Sequence, residues 1–234
     1  MTRIKHLATA LALTALAATP THASVIFSDA NDGVVTSEGV GNTVDFRGIV
    51  GRLGSEASTV LPFLLPTLSP GESFETADLQ ITLFLNNSVA GQNADLYGLS
   101  RISDSSSLIA DDFFVGAFDP SATLIQDDFI VSTTPSGNDE INTDALGDSA
   151  LVAFLNEQYA DGANAGSYVF LRLSSDTSPV ADNRFEPRTS EADGTAVTTR
   201  DPQITFTSAV IPEPASLALV TLGAVGLLGR RRPV

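Results

Sequence analysis

The chain carries two kinds of hydrophobic pattern, one at its ends and one in its middle. Each end contains a continuous apolar run, from Leu7 to Ala18 and from Ala215 to Gly229. Between them, short runs rich in Val, Ile, Leu, Phe and Thr alternate with clusters of Gly, Asn, Asp, Ser and Pro, which is the spacing of strands and turns. The pattern predicts a β-rich body with an apolar segment on either side.

The clearest strand lies between Glu75 and Asn86, where every second residue from Leu79 to Leu85 is a large aliphatic one. Such a period of two predicts a half-buried strand. Similar but shorter patterns predict strands at 24–28, 43–50, 59–65, 94–99, 168–173 and 203–206. One helix is expected from Ser149 to Asp161, with Asp148 or Ser149 at its start. The fold class is therefore all-β, a sandwich with one short helix.

The first residues have the features of a secretory signal. Arg3 and Lys5 precede the first apolar run, and small residues occupy the two positions that a signal peptidase reads before Ser24. Met1 to Ala23 is predicted to be a signal peptide whose N-terminal helix is removed by cleavage between Ala23 and Ser24. The body would then begin at residue 24 and enter the space outside the inner membrane.

The last residues contain three signals in order: the motif Pro212-Glu213-Pro214, the apolar run from Ala215, and the cluster Arg230, Arg231 and Arg232. As a helix, the apolar run rises only about 22 Å, against a hydrocarbon core of about 30 Å. Arginine side chains that reach the headgroups can make up the difference. We expect a C-terminal transmembrane helix with its arginines on the cytoplasmic side.

This tail resembles the PEP-CTERM sorting signal of Gram-negative bacteria. The resemblance implies that exosortase, a membrane transpeptidase-like enzyme, removes the segment 210–234. The protein would be anchored in the inner membrane only transiently and would then pass to the cell surface or the extracellular matrix. The body, 24–209, would be the part that remains.

Charge and missing residue types narrow the chemistry of that body. It holds seven arginines and no lysine against 27 acidic residues, a net charge of −20, which excludes nucleic acid as a partner. Cysteine is absent, and His6 and His22 both lie in the signal. Histidine- or thiol-based catalysis and a zinc site with such ligands are therefore excluded.

Two acidic turns suit calcium, which prefers hard oxygen ligands. Asp29, Asn31 and Asp32 precede Gly33, and Glu191 and Asp193 precede Gly194. Neither turn continues into an EF-hand loop, because no glutamate follows at the required spacing. No cofactor is expected; one calcium ion bound by either cluster is a hypothesis, and an ordinary polar turn is the alternative. Arg172 and Arg184, which are scarce cations among acids, are expected to form ion pairs.

The body also resembles DNRLRE-type domains, bacterial β-sandwich modules related to a class of carbohydrate-binding modules. The segments that carry this resemblance are 77–83 with 95–99, the helix followed by 168–173, and 184–188 with 201–206. The resemblance implies a jelly-roll-like sandwich with the helix across one end.

Three functions remain open for the body. The leading hypothesis is a non-enzymatic surface or extracellular-matrix protein. The alternative is a module that binds envelope or extracellular polysaccharide, and because the chain has no Trp, its stacking rings would be Tyr97, Tyr159 or Tyr168. The second alternative is a glycoside hydrolase that uses two carboxylates. Its acids would come from the pairs Asp111-Asp112, Asp127-Asp128, Asp139-Glu140 and Glu191-Asp193.

Overall fold

The structure, a computed structural model, describes residues 23–41, 46–160, 165–189 and 200–210. Within these ranges the chain forms one antiparallel hydrogen-bonded sheet that folds over itself like an open sandwich. Its strands are β1 Ser24–Phe27, β2 Gly33–Thr36, β3 Gly39–Val40, β4 Val50–Leu53, β5 Ser55–Leu64, β6 Glu72–Asn87, β7 Asn93–Leu99, β8 Ala122–Val131, β9 Asp139–Asn142, β10 Tyr168–Ser175, β11 Arg184–Pro187 and β12 Gln203–Val210. The all-β prediction is confirmed.

The sheet follows the order β1-β12-β6-β11-β4-β5-β10-β7-β8, with β9 paired to β6 and with β2 joining β3 to β5. Strand β6 contains the alternation seen in the sequence. Its residues Leu79, Ile81 and Leu83 are fully buried and belong to the main core, together with Leu96 of β7 and Leu171 of β10. Aliphatic side chains on one side of a pleated strand bury together, which is why the period of two located this strand correctly.

A single α-helix, α1 Ala145–Ala160, is present in the described residues. It starts four residues before the predicted Ser149, and neither Asp148 nor Ser149 caps it. Instead, Oδ1 of Asp144 accepts the backbone N–H groups of Leu146 at 2.9 Å and Gly147 at 2.8 Å, which satisfies donors that the first helical turn leaves open. The predicted helix therefore exists, but its start was placed wrongly.

Helix α1 packs against β6 and β8 and reaches β7 through the ring of Phe154. A Cβ atom at Gly98 would lie 2.5 Å from the ring of Phe154, so only glycine allows this approach. Farther along the helix, the side-chain amide of Asn156 bonds both the N–H and the C=O of Phe74 in β6. The helix therefore covers the core between β6 and β8.

The predicted strand 43–50 is largely wrong where the structure describes it. Strand β4 begins only at Val50, and Phe46 has a φ of +63° with 38% of its surface exposed. An extended strand cannot continue through a residue in the left-handed region. Residues 42–45 lie outside the described ranges.

The first and last strands of the described chain are neighbours. Ser24 pairs with Phe206, and Val210, at the end of β12, pairs with Glu72 of β6. The predicted N-terminal signal helix and C-terminal transmembrane helix lie outside the described residues. Among those that are described, no helix is both long enough and apolar enough to span a bilayer.

Candidate functional site

The first predicted calcium cluster forms a hydrogen-bonded turn next to β10. Oδ1 of Asp29 accepts the N–H of Asn31 at 3.0 Å, and its Oδ2 accepts the hydroxyl of Tyr168 at 3.0 Å. Burial, together with that bond to Asp29, raises the pKa of Tyr168. The amide of Asn31 donates to Ser106 at 2.6 Å. Two of the three predicted ligands therefore bond other protein groups.

Asp32, the third predicted ligand, is almost completely buried, and its Oδ2 accepts the hydroxyl of Ser28 at 2.6 Å. The structure thus holds the turn through its own donors, as the alternative of a polar turn requires. Calcium at Asp29, Asn31 and Asp32 stays a prediction. Glu191 and Asp193, the second cluster, lie outside the described residues.

Of the residues predicted to be processed, those at the signal cleavage site lie within the described residues, and those of the sorting motif do not. Ala23 precedes β1, which begins at Ser24, so a cut between these two residues would leave the first strand intact. That cut remains a prediction. The sorting motif Pro212, Glu213 and Pro214 and the basic cluster Arg230, Arg231 and Arg232 lie outside the described residues. The described chain ends at Val210, two residues before the motif begins.

The densest acidic site in the described residues combines Asp95, Asp128 and Asp176, which we call the acidic triad. One carboxylate oxygen from each lies within 4.8 Å of the others. The three residues come from the start of β7, from the middle of β8 and from the residue after β10. Sequence analysis did not bring them together.

A bulge between β7 and β8 builds this site. The register between the two strands shifts on both sides of Leu96, and Asp128 adopts a φ of +53°. Its N–H then donates to Oδ1 of Asp95 at 2.9 Å, while its own Oδ1 accepts the side-chain amide of Asn93 at 2.6 Å. Bulges commonly redirect side chains at sheet edges. Here the bulge turns Asp128 toward Asp95.

Asp176 completes the triad from the third strand, with its N–H donating to the C=O of Asn93 at 3.2 Å. Its Oδ1 is buried and accepts no hydrogen bond from the described residues. Asp95, by contrast, is 1% exposed and accepts the hydroxyl of Tyr97 at 3.2 Å. The triad therefore combines a buried residue, Asp95, with a partly buried one, Asp176, and an exposed one, Asp128.

Crowding of like charges sets the electrostatics of the triad. Burial, together with the charges of Asp176 and Asp127, raises the pKa of Asp95 to about 7 against the bonds from Asp128 and Tyr97, which lower it. Burial likewise raises the pKa of Asp176, with Asp128 and Asp127 adding to the effect. Carboxylates this close do not all ionise together easily. The site can hold a proton near neutral pH, and a divalent cation would neutralise it in the proton's place.

A second buried charge lies two residues away along the same strands. Arg172 of β10 is 1% exposed, and its Nη2 lies 2.5 Å from Oδ2 of Asp119. Its Nε donates to Ser174 at 2.7 Å, and its guanidinium lies 5.2 Å from the ring of Tyr97. Arg184 pairs with Glu186 at 2.7 Å. Both predicted ion pairs are confirmed.

The three tyrosines named for sugar stacking are held by the body. Tyr97 is fully buried, and burial raises its pKa. Tyr159 donates its hydroxyl to the C=O of Pro66, and burial raises its pKa to about 12. Tyr168 is only partly exposed and is bonded to Asp29. Polysaccharide binding stays a prediction, without an open tyrosine platform in the described residues to support it.

The acid pairs named for hydrolysis are spread over the fold. Asp112 is buried and forms two bonds with Arg101, at 2.6 and 2.8 Å, whereas its neighbour Asp111 is exposed. Asp127 and Asp128 lie on β8, and the pair Asp139-Glu140 begins β9. Hydrolysis stays a prediction.

Comparison with known proteins addresses the end of the chain. The family model of the PEP-CTERM protein-sorting motif matches residues 210–232. No curated protein matches the chain significantly. The matched range begins at the last residue of β12 and includes the motif, the apolar run and the three arginines. The chain therefore carries a PEP-CTERM sorting motif, which implies export, transient membrane anchoring and processing by exosortase.

Proposed function

We propose that the mature body is a non-enzymatic protein of the cell surface or extracellular matrix, released to that place when exosortase removes the tail. The sorting motif at residues 210–232 is the observation that carries this proposal. Two features of the body support it. The mature chain has no His or Cys for catalysis, and its most buried cation is neutralised by Asp119.

The sorting step can be tested on the full chain in cells that contain an exosortase. We expect Pro212→Ala combined with Glu213→Ala to leave the protein in the membrane fraction with its tail attached, because the motif is what the enzyme reads. Wild type should appear outside the cell at the mass of the shortened chain. Pro135→Ala, in an exposed loop, is the matched control and should behave as wild type. Equal masses for all three proteins would contradict the proposal.

The role of the released body needs a different measurement. Deletion of the protein should weaken the surface layer or the matrix. The purified body should not hydrolyse polysaccharide. Replacing Asp111 or Asp127 by Asn should not change the contribution of the body to the surface layer or the matrix. Turnover of an envelope polysaccharide that disappears with either replacement would establish the hydrolase alternative instead.

Calcium binding remains a further proposal, and two places compete for the ion. The first is the Asp29–Asp32 turn, and the second is the acidic triad, where one carboxylate oxygen from each of three residues lies within 4.8 Å of the others. Three carboxylates would supply part of the six to eight oxygens that calcium takes. Ligand binding to the folded state raises the melting temperature. We expect Asp176→Asn to abolish a calcium-dependent rise, and Asp29→Asn to preserve it. The reverse result would place the ion at the turn, and no rise in wild type would contradict calcium binding.

A further inference from the structure

Strand β12 brings the folded body very close to the processing motif. Val210 is still paired with Glu72 of β6, and only Ile211 separates it from Pro212. An extended chain covers at most about 3.6 Å per residue. The motif therefore begins within about 7 Å of the last paired residue.

The same limit restricts how far the body can stand from the membrane. Ala215, where the apolar run starts, is five residues from Val210, a reach of at most about 18 Å. The headgroup layer takes up about 5–7 Å of it. What remains, about 12 Å, is roughly the diameter of one helix with its side chains. A processing enzyme has little room beside a fully paired β12.

The last residues of β12 are held more weakly than the rest of the strand. Strand β1 covers only Gln203 to Phe206, so within the described chain Ser208 to Val210 have a ladder partner on the β6 side alone. A register shift between Thr207 and Ser208 separates these three residues from the others. The last core side chain of the strand is that of Phe206, and Val210 is 48% exposed.

One side-chain contact holds this short segment against the start of β6. The hydroxyl of Ser208 donates to Oε1 of Glu72, and Oε2 of Glu72 accepts the N–H of Ser69 at 2.7 Å. The bond from Ser208 and then that from Ser69 lower the pKa of Glu72. Detaching residues 208–210 would break this contact and three ladder pairs, and none of these three residues contributes a side chain to the buried core.

We infer that Ser208, Ala209 and Val210 detach from β6 and form part of the extended substrate that exosortase binds. This inference rests on the proposed processing of the tail. Detachment back to Thr207 lengthens the free chain before Ala215 from five to eight residues, a reach of about 29 Å. The gap above the headgroups then grows to about 22 Å, enough for two layers of helix.

A disulfide across the segment tests the inference, since the chain has no cysteine of its own. Ser73 and Ala209 are direct partners across β6 and β12, and such partners lie within the Cα separation that a disulfide needs. The double variant Ser73→Cys with Ala209→Cys would lock the segment in the oxidising space outside the inner membrane. Asp78→Cys with Thr205→Cys bridges the same two strands before the register shift and is the matched control.

The readout is the fraction of full chain that loses its tail in exosortase-containing cells, with and without a membrane-permeant reductant. We expect the oxidised Ser73–Ala209 lock to reduce processing by about tenfold or more, in proportion to the lost population of detached chain, and reduction to restore it. The control bridge should be processed as wild type in both conditions.

Two further arms keep the outcomes distinct. The single variants Ser73→Cys and Ala209→Cys show whether substitution alone affects processing, and Glu72→Ala should accelerate it by releasing Ser208. Processing of the oxidised lock at the wild-type rate would overturn the inference while leaving the proposed function intact. Absence of processing in wild type itself would instead overturn the proposed function.

Discussion

Two buried charges on adjacent strands of this protein are handled in opposite ways. Arg172 of β10 pairs across the sheet with Tyr97 of β7, and Ser174, two residues later, pairs with Asp95. The guanidinium of Arg172 contacts the carboxylate of Asp119. Asp95 instead lies beside two further carboxylates, those of Asp128 and Asp176. Tyr97 lies between the sites, donating its hydroxyl to Asp95 while its ring faces Arg172.

The difference shows how two neighbouring carboxylates can make the stability of the fold depend on pH in opposite directions. Burial opposes ionisation of Asp119, but bonds from Ser121 and Arg172 outweigh it and lower its pKa. The stability that Asp119 supplies is therefore lost as the pH falls through that lowered pKa. The raised pKa of Asp95, about 7, means that the folded state binds the extra proton between about pH 4 and 7. Stability falls as the pH rises through that window.

The largest expected effect comes from breaking the neutralised site. Asp119→Asn leaves Arg172 buried without a counter-charge, which should cost about 3–5 kcal/mol of unfolding free energy in a urea titration. Asp111→Asn, an exposed acid nearby, should change it by less than about 0.5 kcal/mol. The pair Arg172→Met with Asp119→Asn should recover part of the loss, because no charge is then left buried. Equal losses of unfolding free energy for Asp119→Asn and Asp111→Asn would show that the contact between Asp119 and Arg172 does not stabilise the fold.

At the acidic triad we expect a smaller change in the opposite direction, an increase in the free energy of unfolding. Asp95→Asn keeps Oδ1 as an acceptor for the N–H of Asp128 and removes the charge. It should raise the unfolding free energy at pH 8 by on the order of 1 kcal/mol or more, with little change at pH 4. Stability curves measured between pH 4 and 8 should be flatter for this variant than for wild type. Asp104→Asn, exposed and not among the charges that act on Asp95, is the control. A pH dependence in Asp95→Asn equal to that of wild type would show that the crowded carboxylates do not affect stability.

The smallest effect belongs to a carboxylate held by backbone donors alone. Asp144→Ala removes the cap of α1 and should cost about 1 kcal/mol, measured by thermal or urea unfolding. Glu157→Ala, an exposed acid near the other end of the helix, should be neutral or slightly stabilising, because anions are unfavourable there. A loss as large as that of Asp119→Asn would mean that Asp144 does more than cap the helix.

The sequence predicted those features correctly whose pattern lies within one continuous segment of the chain. The aliphatic alternation in β6, the presence of α1 and the sorting motif are local patterns, and each was found. The acidic triad could not be found in this way, since it depends on a bulge that changes the register of β7 against β8. A hint existed at Asp95, an acid inside the otherwise nonpolar run from Ala94 to Leu99. The strand predicted at 43–50 failed because nothing in its pattern reveals the left-handed backbone at Phe46.

The pairing of β1 with β12 sets an order of events during export. Export by the predicted signal peptide would bring the first strand out before its ladder partner, since Ser24 to Phe27 pair with Phe206 to Gln203 near the end of the body. Contacts this distant in sequence form late, and unpaired strand edges invite association with other chains. In that order of export, the amino terminus would remain without its β12 partner until residues 203–206 had followed it.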